Sequence, residues 1–125
     1  MSEQVKSRDN SFKLLSKLEI YDIYVRKYII NCIPKIYNDI RIHILDENYD
    51  LIRNVKLSSI TKGNIRIKHL VNTLINISML DYLFNSLSIL KVGDARKISS
   101  SLSKLTDLKN IIYVWYNREI GISEK

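Results

Sequence analysis

Helix-breaking and cross-linking residues are nearly missing from this chain of 125 residues. It has one Pro (Pro34), three Gly (Gly63, Gly93, Gly121) and one Cys (Cys32). Pro and Gly are the strongest local punctuators of regular structure, so their scarcity leaves room for only a few long segments. Three scattered glycines cannot build a phosphate-cradling loop, which needs them at close, fixed spacing. A single cysteine excludes an internal disulfide and gives no basis for a cysteine-based metal site. Cys32 sits at an apolar-periodic position and is expected to be a small buried hydrophobe. The two histidines, His43 and His69, fall on different predicted helices without paired Cys or carboxylate spacing, so no zinc site is expected. No run approaches the roughly 18 uninterrupted apolar residues of a membrane-spanning helix. Met1–Asn10 is polar and charged and lacks the apolar stretch of a signal peptide. A cytoplasmic location without a membrane partner is therefore expected, and the sequon Asn76-Ile77-Ser78 is then chance.

What is present is a hydrophobic fraction of 46% beside 26% charged residues, a globular balance for one domain with one core. Acids are the scarcer charge, with 20 Lys+Arg against 13 Asp+Glu, a formal +7 and a pI near 9.5. Residues 53–118 hold eleven basic side chains against three acidic ones (Asp81, Asp94, Asp107), a surplus of +8 that accounts for the whole excess. Such a surplus suits nucleic acid or an anionic surface, although net charge also serves plain solubility.

Apolar spacing divides the chain into four helices, an all-α, up-down-up-down four-helix bundle over 12–118 with flexible tails at 1–11 and 119–125. Ser11 is the expected N-cap of the first helix. Leu14, Leu18, Tyr21, Val25, Tyr28 and Cys32 form its seam at steps of three and four. Pro34 stops it. The second helix is expected over 35–56, with Tyr37, Ile40, Ile44, Leu51 and Val55 inward and a weak step at Glu47 or Asn48. Ser58, Ser59, Thr61, Gly63 and Asn64 read as a loop, with Asn64 capping the third helix over about 65–91. Leu70, Leu74, Ile77, Leu80, Phe84 and Leu87 form the third seam, and Lys62, Arg66, His69, Thr73 and Asn76 share a polar stripe beside it. Gly93 is expected to close that helix in a left-handed cap and Asp94 to cap the fourth, over about 95–117. The fourth seam is Ala95, Ile98, Leu102, Leu105, Leu108, Ile112 and Trp115.

Met79, Leu80, Tyr82, Leu83, Phe84, Leu87, Ile89 and Leu90 surround most of the third helix. A helix apolar nearly all round is buried on more than one side. Met79, Tyr82, Leu83 and Leu90 are therefore expected at a contact between copies of the chain.

Candidate chemistry is sparse. Ser101-Leu102-Ser103-Lys104 matches a Ser-x-x-Lys pattern without its partner motifs. Asp46, Glu47 and Asp50 form an acidic cluster that reads as a solvated face or a salt-bridge partner. No catalytic residue, cofactor or metal is expected. Nucleic-acid binding has a physical case, because Lys and Arg on helices neutralise successive phosphates without reading sequence. Arg66, Lys68, Arg96, Lys97 and Lys104 are the candidates. Eight Tyr and one Trp can stack on bases, but Tyr21, Tyr28, Tyr37 and Trp115 fall on seams; Tyr24, Tyr49 and Tyr116 are better placed for exposure.

The order of these signals carries a resemblance: Ile33-Pro34-Lys35 closing the first helix, a basic loop, a long third helix with Met79-Leu80 and Leu83, a Gly93-Asp94 turn, and a last helix reading Leu108-Lys109-Asn110-Ile111-Ile112-Tyr113-Val114-Trp115. Over about 12–118 the chain resembles the accessory variability determinant (Avd) proteins of diversity-generating retroelements, of the same superfamily as the proteins encoded in intervening sequences of bacterial ribosomal RNA genes. The resemblance implies a basic four-helix bundle assembled as a barrel-like homopentamer. It implies a non-enzymatic accessory that binds RNA or DNA and a reverse transcriptase and assists mutagenic copying of template RNA. One departure stands out: Asp81 and Asn85 occupy places where basic residues are expected. If family contacts use those places, Arg66, Lys68, Arg96, Lys97 and Lys104 carry the load. Two other classes remain, a structural helper bundle whose charge serves solubility and an enzyme with an unrecognised site.

Overall fold

The computed structural model describes residues 2–123, with side chains for 13–122. The described residues form four helices and no strand: α1 (Ser2–Tyr28), α2 (Asn38–Ile60), α3 (Gly63–Ile89) and α4 (Ala95–Ser123). Short 3-10 turns at Ile30–Cys32 and Lys35–Tyr37 lead from α1 into α2.

Side-chain partners set the packing directions. Tyr21 donates to Asn48 at 2.8 Å between α1 and α2. Asn54 and Glu47 both meet Asn76 between α2 and α3. Arg66 meets Glu119 between α3 and α4, while Tyr28 and Tyr24 lie under Lys97 and Lys104 between α1 and α4. In the last pair one residue number falls as the other rises, so those neighbours are antiparallel. Both α1 and α3 pack against α2 and α4, and the Tyr21 ring meets Phe84 edge-on across the middle at 6.4 Å. The fold is a four-helix, up-down-up-down arrangement.

The core holds Leu14, Leu18, Tyr21 and Val25 from α1, Ile44, Leu51 and Val55 from α2, Leu70, Ile77, Leu80, Leu83, Phe84 and Leu87 from α3, and Ile98, Leu105, Leu108 and Ile112 from α4. Each such side chain contributes about 1.5–3 kcal/mol when taken from water. The buried step of α2 is Asn48.

Several expectations need correction. The seam of α1 continues through Ile29 and Ile33, not Tyr28 and Cys32: Tyr28 is half-buried and Cys32 is exposed. Ile29 still bonds back to Val25, and the following 3-10 turn swings Cys32 outward and Ile33 inward. Ile33 is extended, at φ −88° and ψ 119°, as a residue before proline prefers. Ala95, Tyr37, Leu74 and Leu102 lie at the margins of their seams or outside them.

The helices also run past the expected ends. α1 begins at Ser2, upstream of the cap expected at Ser11. α2 continues to Ile60 through the supposed loop. The reason is local: Ser58, Ser59 and Thr61 each donate a hydroxyl to the carbonyl four residues back, which satisfies the polar groups without ending the helix. The N-cap of α3 is Lys62, not Asn64. Gly93 is left-handed, but the residue that closes α3 is Lys91, at φ 57°. The Val92 N–H reaches the Leu87 carbonyl at 2.9 Å and the Lys91 N–H reaches Ser88 at 3.1 Å, a left-handed C-terminal cap with Val92 and Leu87 both buried. Asp94 caps α4 as expected, accepting from the N–H groups of Arg96 (2.8 Å) and Lys97 (3.3 Å).

A candidate nucleic-acid interface

The topology brings the end of α1, the start of α2, the end of α3 and the start of α4 to one pole. The connections touch there, since a Cβ on Gly93 would lie 3.9 Å from that of Cys32. Lys27, Lys35, Lys91 and Arg96 are exposed at this pole, with Lys97 half-buried beside them. Asp39 and Asp94 are the acids nearest in sequence, and the Asp94 carboxylate is engaged by backbone N–H groups.

From that pole a strip runs along the seam of α1 and α4. Lys97 Nζ sits 4.6 Å and Lys27 Nζ 5.5 Å from the centre of the Tyr28 ring. Lys104 Nζ sits 4.3 Å from the centre of the Tyr24 ring and donates to Ser100 Oγ at 3.1 Å. The two rings are 4.8 Å apart and inclined by 54°. Lys97, Ser100 and Lys104 are three and four residues apart, so they share one face of α4. The ion pairs among the described residues are Arg26–Asp22 and Arg66–Glu119, so Lys97 and Lys104 have no carboxylate partner there. Arg26 is tied down by Asp22 at 3.0 Å, a hydrogen bond that is the main cause of a guanidinium pKa raised above its usual value.

The five sequence candidates do not come together. Arg96, Lys97 and Lys104 share α4 near the basic pole. Lys68 is exposed near the start of α3, toward the opposite end. Arg66 is turned inward, with only 17% of its side chain exposed. Its Nε donates to the Ser58 carbonyl at 2.8 Å, its Nη1 meets Glu119 Oε2 at 3.3 Å, and its guanidinium lies 5.5 Å from the Trp115 ring. Glu119 also accepts the Gly63 N–H at 3.0 Å. The bundle therefore extends through Glu119, beyond the end expected at 118.

Apart from Lys62, which is exposed, the polar stripe containing Arg66 faces the protein. Thr73 and Asn76 are buried. Asn76 accepts from Asn54 at 2.7 Å and donates to Glu47 at 2.8 Å, which ties down one member of the acidic cluster. Thr73 bonds to the His69 carbonyl. His69 is half-buried. Tyr28, read from sequence as core, is a constituent of the strip; its place between Val25 and Ile29 on the flank of the seam was the available signal.

The four expected contact residues also divide. Leu83 is buried within the chain at 6% exposure, whereas Tyr82 is 64% exposed and Met79 and Leu90 face outward too. Val71, Ile75, Met79, Tyr82 and Ile89 recur at helical spacing along the outside of α3. Asp81 and Asn85 are exposed and bonded to each other at 3.2 Å. Among the described residues no three potential ligands cluster as a metal site, and no helix is long and apolar enough to cross a membrane. Comparison with known proteins found no matching family model, no matching curated protein and no matching solved structure.

Proposed function

We propose that this protein is a non-enzymatic nucleic-acid-binding accessory module of the Avd kind, serving a reverse transcriptase in the mutagenic copying of a diversity-generating retroelement. The observation that carries the nucleic-acid part is the basic pole and its continuation along α4. Lys27, Lys35, Lys91, Arg96 and Lys97 converge where the four helix ends meet, and Lys97 and Lys104 lack carboxylate partners among the described residues. Free cations at the spacing of helical turns neutralise successive phosphates and release counterions with little dependence on sequence. The retroelement and reverse-transcriptase part rests on the resemblance in element order and terminal helix.

The same reading makes the protein a closed, barrel-like homo-oligomer, a pentamer by resemblance. It is supported by the exposed apolar stripe of α3, Val71–Ile75–Met79–Tyr82–Ile89, with Leu90 beside it. Copies around a ring would multiply the basic strips on one particle and raise avidity without strong single sites.

The test is affinity for RNA and DNA against salt, for the wild type and for Arg96→Ala/Lys97→Ala/Lys104→Ala. Each lost phosphate contact lowers the salt slope by about 0.9, so the triple variant is expected to lose about two to three units of slope. Binding independent of salt, no binding at low salt, or an unaffected triple variant would each overturn the assignment; the last would shift the contact to Lys68. An adjacent reverse-transcriptase gene with template and variable repeats is the expected genomic setting. A position inside a ribosomal RNA gene would assign the chain to the intervening-sequence proteins instead.

A further inference from the structure

We propose that Tyr24 and Tyr28 form a base-stacking platform through which the protein selects unpaired nucleic acid over duplex. This rests on the nucleic-acid reading above and specifies the form of ligand that the strip takes.

The rings stand four residues apart on α1, their centres 4.8 Å from each other. Both are half-buried, so packing fixes them while they remain outside the core. A fixed ring loses little freedom on stacking, and every base has a face to offer it. A surface meant for phosphates alone has no use for aromatic faces.

The cations sit where a strand would need them. Each ring carries an ammonium within about 5 Å of its centre, Lys104 over Tyr24 and Lys97 over Tyr28. An ammonium resting on a ring that water still reaches is weakly held, whereas its bond to a phosphate is charge-assisted and stronger. Phosphate arrival therefore draws Lys104 off Tyr24 and Lys97 off Tyr28, where Lys27 at 5.5 Å shifts as well, and uncovers faces that bases then occupy. The N–H groups of Arg96 and Lys97 at the start of α4 are already taken by Asp94, so the lysine side chains are the donors the strip offers to phosphates. Lys104 follows Lys97 by seven positions, about 10 Å along α4, which matches phosphates about three nucleotides apart in a stacked strand with a repeat of about 3.4 Å. Lys17, exposed and seven residues before Tyr24 on the same face of α1, extends the track. A duplex reaches such a strip only through its backbone, because its base faces are stacked on one another.

The experiment measures binding of the full chain to a labelled single strand, to the duplex of the same length, and to an abasic strand of that length. The wild type is expected to favour the single strand over both others by roughly ten-fold per stacked base. Tyr24→Leu/Tyr28→Leu should abolish that preference with the salt slope unchanged, and Tyr24→Phe/Tyr28→Phe should retain it. Lys97→Ala/Lys104→Ala should weaken all three probes and flatten the slope. Equal affinity of the wild type for single strand and duplex, or a preference that survives the leucine pair, would overturn the stacking platform while leaving phosphate binding in place. Failure to bind any probe at low salt would overturn the nucleic-acid reading beneath it. Circular dichroism checks the fold of the leucine pair. If that pair unfolds, a 2-aminopurine in the strand decides, since quenching on binding the wild type supports stacking and unchanged fluorescence refutes it.

Discussion

Removing the carboxylate of Glu119 should unfasten the end of the bundle opposite the basic pole. Its side chain is 8% exposed and that of Arg66 is 17% exposed. Glu119→Ala removes two partners at once. The Arg66 guanidinium loses its counter-ion at 3.3 Å, and the Gly63 N–H loses its acceptor at 3.0 Å. Stranding one member of a buried pair costs about 3–5 kcal/mol. Some water reaches Arg66, and its bond to the Ser58 carbonyl persists, so the ionic part falls below that range. The orphaned N–H adds about 1 kcal/mol, for a total of about 3 kcal/mol. Urea unfolding followed by circular dichroism measures it. With a slope of about 1.5 kcal/mol per molar, the midpoint should fall by about 2 M. Glu119→Gln keeps an oxygen for Gly63 and should lose about half as much. A Glu119→Ala protein within about 1 kcal/mol of wild type would refute the reasoning. Arg66→Ala should likewise lower stability while leaving the salt slope of nucleic-acid binding unchanged, because that cation is committed inside the bundle.

Three further outcomes follow from single positions. Lys91→Gly should stabilise the protein by about 0.5–1 kcal/mol, raising the melting temperature by roughly 2–5 °C, because a left-handed cap at φ 57° strains a side chain and not a glycine; a lower melting temperature would contradict this. Burial, and secondarily the charge of Asp22, push the Tyr21 phenol well above its usual pKa against the opposing Asn48 hydrogen bond. A pKa raised by folding contributes stability below the unfolded value of about 10 and loses it as pH rises from there toward the folded value. Tyr21→Phe should therefore be about 1 kcal/mol less stable at neutral pH and decline less steeply above pH 10; parallel declines would refute the assignment. Light scattering should give the wild type a mass several times 14.7 kDa, with Tyr82→Lys monomeric and still helical and Leu83→Lys unfolded; a monomeric wild type would remove the oligomer.

Helix number, order and most of the core were legible in the sequence because periodicity is a strong signal over long segments. The step through Leu14, Leu18, Tyr21 and Val25 holds for as long as α1 is regular. It slips where two neighbours compete for one place. Tyr28 and Ile29 are both acceptable apolar residues at the next step. The isoleucine goes inside and the tyrosine takes the flank, where its polar end stays near water. That slip made a seam residue of the sequence into half of the proposed stacking platform.

Polar residues were the harder part, since their type does not say which way they face. Ser58, Ser59 and Thr61 carry loop chemistry, yet back-bonding to the preceding turn makes them compatible with the last turns of α2. Arg66, Thr73 and Asn76 have the spacing of a solvated stripe, and the same spacing serves a buried one when partners wait on the facing helices. Those partners, Glu119 on α4 and Glu47 and Asn54 on α2, lie 22 to 53 residues away in the chain, beyond any local pattern. Only packing decides whether such a stripe is a binding face or an internal network. A cation in the network belongs to the fold, and one left without a carboxylate, like Lys97 or Lys104 on its tyrosine ring, is the kind the proposed phosphate contact needs. That distinction removes Arg66 from the candidate interface and leaves Arg96, Lys97 and Lys104 on α4, the last two at its seam with α1.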